Sequence, residues 1–331
     1  MAFSNTYDTT NTGSAVSNRE DLTDVLTILA PEETPIRSSA NKERATSTFV
    51  EWTVDSLSAP STSGISEGAD VTAFTDKFAG RARLGTRVQK FRRDFMVSDL
   101  QEAVDSVGPA KIAQAEAKAI RELKRDIEAT IASANTQATE NGANTSNALG
   151  GLGDWIQNAA GSANVPSDFR TPAASVVDAG ATLSESEFNG LITSIFTVTG
   201  NTNNLMLVAD TTLRSDISDF ARVSAGATEN IRSVNYDGNS GSIKLSVDLY
   251  QSDHGVVSIV NGNPDCMPTQ AGTAGMMGYM VNPDYYGIHE LIPMGSTRLP
   301  NLGGGERGFV DCALTLGVYH PGAHGKIVDP S

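Results

Sequence analysis

Cysteine, histidine and long apolar runs are what this chain has least of. Cys266 and Cys312 are its two cysteines. They have no metal-ligand spacing and are expected to be small buried residues, not a disulfide. Four histidines are too few and too scattered for an acid/base cluster. His320 and His324 are i,i+4, but Pro321 and Gly322 lie between them, so no helix aligns them as ligands. "GAHGK" at 322–326 is two residues short of a phosphate loop and lacks the hydroxyl residue after Lys326. "GGLGDW" from Gly150 lacks the third glycine of a dinucleotide fingerprint, "DGNSGS" from Asp237 reads as a hairpin turn before a calcium loop, and no G-x-S-x-G elbow occurs. No catalytic residue, metal or cofactor is expected. A hydrolase whose site assembles only in three dimensions stays open as an alternative. No apolar run is long enough to cross a bilayer, and residues 1–18 have neither the basic nor the apolar region of a secretory signal. A soluble protein made in a cytoplasm, without a membrane partner, is expected.

Positive charge is scarce too, except in one place. The net charge is −15 over 331 residues. Residues 1–76 carry 4 basic and 12 acidic side chains, and residues 94–331 carry 13 and 27. Between them Lys77, Arg81, Arg83, Arg87, Lys90, Arg92 and Arg93 form a band with no acidic residue. Such a band needs an acidic partner or is a solvated strand face. Nucleic acid is one such partner, but the acidic remainder of the chain repels it.

Along the chain, residues 1–18 are polar and read as an arm. "NREDLTDVLTIL" then places Leu22, Val25, Leu26 and Leu29 on one helical stripe, which needs a surface to dock on. "TSTFVEWTVDSL" has strand composition. It leads through small polar residues and glycine into the basic band, where Arg81 and Arg83 alternate with Ala82 and Leu84. Two strands with a long polar tip predict a projecting hairpin. Ser98 with Gln101 opens a short helix. From Pro109 to about residue 134 a helical period runs through Ile112, Ala113, Ala117, Ile120, Leu123, Ile127, Ile131 and Ala134, with Lys118/Glu122 and Lys124/Glu128 as i,i+4 pairs on the wet side. It predicts a rod laid on a sheet. Residues 180–285 read as a compact α+β unit, with a helix capped at Ser184, a strand at "NLMLVAD", a second helix at "TTLRSDISDF" and a hairpin through "GVVSIVNG". "GFVDCALTLGVYHPGAHGKI" reads as a late strand returning beneath the rod.

"NREDLTDVL", "PEETPI", "ATSTFVEWTVDSL", "TRVQKFRRDFMVSDLQEAV", "EAKAIRELKRDIEATI", "GLGDWI" and "PGAHGKI", in this order, resemble a family of tailed-bacteriophage major capsid proteins. The likeness is dense over residues 17–156, thin from 157 to 315, and returns at the C-terminus. It implies an α+β Hong Kong 97-type capsid fold. Residues 1–45 would be the N-terminal arm and 46–95 the extended E-loop hairpin with its strands. Residues 96–180 and 285–331 would form a peripheral domain whose spine helix runs from about 109 to 134, and 181–284 an axial domain. It also implies self-assembly into the icosahedral head shell around a double-stranded DNA genome, in hexamers and pentamers. Portal, separate scaffolding and decoration proteins, and packaged DNA contacted without sequence specificity, would be its partners. Assembly would take place in the host bacterial cytoplasm. Some relatives carry a long scaffolding segment ahead of the arm, where only a short polar tail stands here. Some crosslink a lysine to an asparagine; nothing around Lys77 marks it as reactive, and no crosslink is expected. The candidate inter-subunit contacts are Arg81, Arg83, Arg87, Lys90, Arg92, Arg93, Leu22, Val25 and Leu26. An acidic face of a neighbouring copy is the favoured partner of the band. A soluble ligand-binding or adhesin-like module of a virion, using the Gly/Ser-rich loops, is the alternative.

Overall fold

The computed structural model describes residues 31–104, 111–142, 145–180, 182–220, 248–267 and 275–329. The expected helix bearing Leu22, Val25 and Leu26 lies outside the described residues, as does most of the expected arm.

Apolar residues alternating with polar ones place one face of the main sheet under a helix. Strand β4 (Gln89–Val97) turns Phe91 and Phe95 inward and leaves Lys90, Arg92 and Asp94 exposed. It lies at one edge of a four-stranded sheet, beside β11 (Glu306–Val318), then β10 (Tyr286–Leu299), then β1 (Asn41–Arg44). Only the β1–β10 pairing is parallel. Helix α3 (Lys111–Ala132) lies across β4 and β11. Its 22 residues make a rod about 33 Å long at ~1.5 Å per residue. It buries Ala119, Leu123, Ile127, Ile131 and Ala132 against Phe91, Phe95, Val310, Cys312 and Leu314. Each fully buried leucine or isoleucine contributes about 1.5–3 kcal/mol. Ahead of α3, short helix α2 (Asp99–Ala103) starts at Ser98, whose hydroxyl accepts the Gln101 N–H. Short helix α1 (Pro35–Ser39) leads into β1.

A six-stranded sheet forms the second layer. Its order is β5 (Val176–Asp178), β12 (Gly325–Asp329), β9 (Gly275–Val281), β6 (Leu205–Ala209), β8 (Gly255–Asn261), β7 (Leu249–Ser252). Helix α5 (Glu185–Thr199) begins in a complete capping box, Ser184 with Glu187, and ends at Gly200 in the left-handed region, φ 66°, where glycine has no Cβ penalty. Helix α6 (Thr211–Asp219) is capped by Asp210, which accepts from the N–H groups of Thr212 and Leu213. Phe188, Leu191, Ile192 and Ile195 of α5 and Leu213 and Ile217 of α6 close a core over Leu205, Leu207, Val257, Ile259 and Ile327.

The third unit is a hairpin. Strands β2 (Phe49–Val54) and β3 (Ala82–Arg87) pair antiparallel in register from Phe49 with Arg87 to Val54 with Ala82. Residues 55–81 between them contain no strand or helix beyond turns, and all are exposed. Short helix α4 (Leu152–Trp155) packs beside the end of α3.

Three sequence expectations need correction. Ala113, Ala117 and Ala134 of the expected buried stripe are exposed. The inward face instead passes through Ala119, Glu128 and Ala132. Glu128, expected on the wet side opposite Lys124, is 2% exposed. The late strand is two strands: β11 runs under α3, but after a turn at Pro321–Ala323 the chain crosses to the second sheet, where β12 pairs with β9 and β5. Cys266 and Cys312 are buried and free, as expected.

Candidate assembly surfaces

The basic band falls on β3, β4 and the residues just before them, and the six side chains after Lys77 divide into two kinds. Arg81 Nε donates to Asp55 Oδ2 at 2.8 Å across the mouth of the hairpin and lies 4.1 Å over the Phe78 ring. That bond holds the Asp55 carboxyl below its ordinary value. Arg83 lies 3.7 Å from Glu51 on the facing strand, and Lys90 2.9 Å from Asp311 on β11. Arg93 makes a two-point pair with Asp126 of α3, at 2.6 and 2.7 Å. This fork pins the edge strand to the helix and raises the arginine's already high pKa. These four therefore have acidic partners within their own chain. Arg87 and Arg92 do not: among the described residues neither meets a carboxylate. Each stacks its guanidinium on a phenylalanine, Arg87 on Phe49 at 4.8 Å and Arg92 on Phe309 at 4.7 Å. A stacked guanidinium keeps its donors free for an outside acceptor.

The hairpin tip is the second surface. Leu57 is 100% exposed, Phe74 90% and Ile65 88%. Val71 and Phe78 are exposed beside them. Scattered exposed apolar residues are ordinary, but five on one extended segment that its own chain leaves bare call for cover.

A third surface was not anticipated from the residues. At the far end of β4, Met96 is 75% exposed, Leu100 on α2 82%, and Leu302 in the turn between β10 and β11 80%. Beside them Asp99, Glu102 and Glu306, with Val97, Ala103 and Asn301, line an open recess of about 350 Å³. The sequence signal was present in "DFMVSDL", where apolar residues continue past the end of strand alternation.

Residues 31–37 are tied down by polar contacts. Buried Glu128 accepts the N–H of Ile36 at 2.8 Å and of Arg37 at 2.9 Å, one on each carboxylate oxygen. Burial raises its pKa, and the two N–H donors and Arg37 pull the other way. Arg121 pairs with Glu32 at 3.2 Å, and Asn263 Nδ2 donates to the carbonyls of Pro31 and Glu33. Among the described residues no group of His, Cys, Asp and Glu is placed to hold a metal ion, and no helix is long and apolar enough to cross a membrane.

A helix laid on a mostly antiparallel sheet, a second mixed sheet and a long projecting hairpin define the Hong Kong 97-type capsid fold. Solved shells share it along nearly the whole chain. The capsid of the cyanophage P-SCSP1u superposes with TM-score 0.62 at 13% identity, covering 97% of this chain and 96% of that one. The capsid of a native GTA particle gives 0.58 at 13%, covering 98% and 99%. Gordonia phage Cozz gives 0.57 at 14%, covering 96% and 92%. No curated protein matches the sequence. Residues 4–331 match the family described as SU10 major capsid protein, and the chain belongs to that family. It is a major capsid protein of the tailed-phage kind, a virion shell component, and the family is a structural class, not an enzymatic one.

Proposed function

We propose that copies of this chain build the shell by laying the hairpin of one subunit across its neighbour. The observation that carries this is the tip at 55–81, whose Leu57, Ile65, Val71, Phe74 and Phe78 are uncovered in the subunit. A segment of small polar residues with a few large apolar ones has too little to bury by itself and gains contacts only on another surface. In this reading residues 46–95 are the E-loop and its strands, 1–45 the arm, and 96–180 with 285–331 the peripheral domain with α3 as its spine. Residues 181–284 are the axial domain at the centres of hexamers and pentamers. Arg87 and Arg92 reach acidic groups of a neighbouring copy, and the recess at Asp99, Glu102 and Glu306 has the required sign. Arg81, Arg83, Lys90 and Arg93 chiefly hold the hairpin and edge strand in shape, while Leu22, Val25 and Leu26 dock the arm on another copy. Portal, a separate scaffolding protein, decoration proteins and DNA lying on the inner face complete the head, which forms in the host bacterial cytoplasm.

Negative-stain microscopy of the purified chain tests the reading. The wild-type chain is expected to form particles, alone or when expressed with its scaffolding protein. Leu57→Ser with Ile65→Ser and Phe74→Ser is expected to give folded, soluble subunits and no particles. Normal particles from the triple variant would remove the hairpin tip from the interface.

A further inference from the structure

Both tryptophans of the chain meet at the foot of the hairpin. Trp52 is on β2 and Trp155 on α4, with ring centroids 5.8 Å apart. Trp52 also meets His289 of β10, nearly parallel at 10° with ring centroids 6.4 Å apart, and Tyr319, edge to face with centroids 5.7 Å apart. His289 is 6% exposed. It fits because its diagonal neighbour on β11, two residues past its register partner Thr315, is Gly317, where a Cβ would stand 2.6 Å from His289 Nε2. Tyr319 Oη donates to Glu43 Oε1 at 2.6 Å, which leaves its oxygen free to accept the Nε2–H of His289 at 3.2 Å. His289 Nδ1 then turns its lone pair toward Glu43 Oε2, 3.6 Å away. Three separately anchored pieces converge here: β1 through Glu43, the hairpin through Trp52, and the main body through His289, Tyr319 and Trp155. Neither indole N–H has an acceptor among the described residues, so the Trp52 side chain is seated by packing, not by a hydrogen bond. Nearby, the buried hydroxyls of Thr86 on β3 and Thr315 on β11 are 2.9 Å apart, a second tie between hairpin and sheet.

We propose that this cluster is a protonation-sensitive joint: neutral His289 seats Trp52 and sets the angle of the hairpin on the body, and protonated His289 turns to Glu43 and unseats it. A protonated Nδ1 needs a closer approach to Glu43 than 3.6 Å, and that movement draws the ring from beneath Trp52. The titratable and charged groups that face the ring are Glu43 from β1 and Tyr319 after β11. Trp52 from β2 is apolar and uncharged, Trp155 of α4 lies behind it, and the register partner on β11 is the uncharged Thr315. Burial holds His289 below the ordinary imidazole value, and Glu43 opposes it. A depressed value in the seated state means the seat is fully stable above about pH 6.5 and is lost as pH falls through that lower value. The proposal concerns the free subunit and stands apart from where the tip docks. The consequence for assembly rests on the hairpin reading above.

The full-length subunit reports the joint directly, because its only indoles are the two in the seat. Between about pH 8 and pH 5, the coupled-indole circular dichroism signal is expected to fall at least twofold. Acrylamide quenching should rise at least twofold while the helical signal stays constant. His289→Gln keeps a donor for Tyr319 and cannot titrate, so its signals should stay flat. His320→Gln, one residue from Tyr319, should titrate like wild type. Glu43→Gln should move the midpoint to lower pH, since Glu43 favours the charged ring. No transition in wild type, a transition that survives His289→Gln, or a midpoint that rises in Glu43→Gln overturns the joint. Loss of particles in the hairpin-tip variant with the transition intact would leave the joint standing and locate the effect in docking.

Discussion

Glu128 shows what one side chain decides in this molecule. It sits on a helix whose other charged residues are exposed or half-buried, yet both its oxygens hold backbone N–H groups of Ile36 and Arg37. Glu128→Ala leaves two buried donors without partners. A loss of about 2–3 kcal/mol is expected, read from the urea midpoint, together with faster protease cleavage between residues 31 and 40. An unchanged midpoint would mean that the arm exit is held by Asn263 and Arg121 instead. His324 is the second case. It is fully buried; its Nδ1 accepts the Asn282 N–H at 3.1 Å, and its Nε2 lies 3.4 Å from the Tyr285 carbonyl. Burial pushes its pKa down to about 3. Because the folded-state value is depressed, the stability it confers is present above about pH 6.5 and lost as pH falls. Stability should drop by about 1.4 kcal/mol per pH unit below that point. His324→Phe should remove its share of this slope and leave that of His289 and His320, whose values burial also depresses, at whatever cost in stability at neutral pH, and urea titrations at several pH values would show it. Neither role was readable from spacing. The i,i+4 rule pairs Glu128 with Lys124, and only the segment around Ile36 and Arg37, far away in the chain, covers it.

The hairpin is where the element scale matters most. Its strands were legible because Arg83, Leu84 and Trp52 alternate with partners of the opposite character. Its register was not, since Gly85 and Thr86 are buried on the basic strand without an apolar side chain to mark them. The proposed docking makes the tip a segment with two states. In free subunits protease should cut first between Ser56 and Phe78, and in particles that segment should be at least tenfold slower to cut, as a site that must open locally before cleavage. Equal protection in both would assign the tip to the subunit's own core. Equal cutting in both would leave it a solvent loop and move the interface to the arm. Helix α3 was legible in kind and length, but the direction of its inward face was not. Alanines are common on both sides of it, so the stripe read through Ala113 and Ala117 was as plausible as the one through Ala119 and Ala132.

For the whole molecule the charge distribution is the useful quantity. A net charge of −15 makes copies repel at a distance, and a few uncompensated cations can then decide where they meet. Reversing Arg87 and Arg92 together, to glutamate, should leave circular dichroism unchanged and abolish particles. Each exposed ion pair contributes only about 0.2–1 kcal/mol, but the loss recurs at every copy of the contact in a symmetric shell. The same reversal at Arg93 would break its fork with Asp126 and confuse folding with assembly, so it is not an equivalent test. Normal particle yield from the Arg87/Arg92 variant would remove the band from the interface.

Element types, the long hairpin, the rod, the burial of both cysteines and the concentration of positive charge were determined by the sequence itself, because local periodicity and composition carry them. Which cations are already satisfied, which face of the rod is inward, and where the last strand goes depended on segments far apart in the chain. Asp126 meets Arg93 because α3 crosses β4, and Asp311 meets Lys90 because β11 pairs with it. After Pro321–Ala323 the chain changes sheets, and residues 325–329 pair on both sides, with β5 and with β9. The seat of Trp52 belongs to the same class: Glu43, Trp155, His289 and Tyr319 come from four separate places in the chain, and no local pattern in any of them marks a shared site.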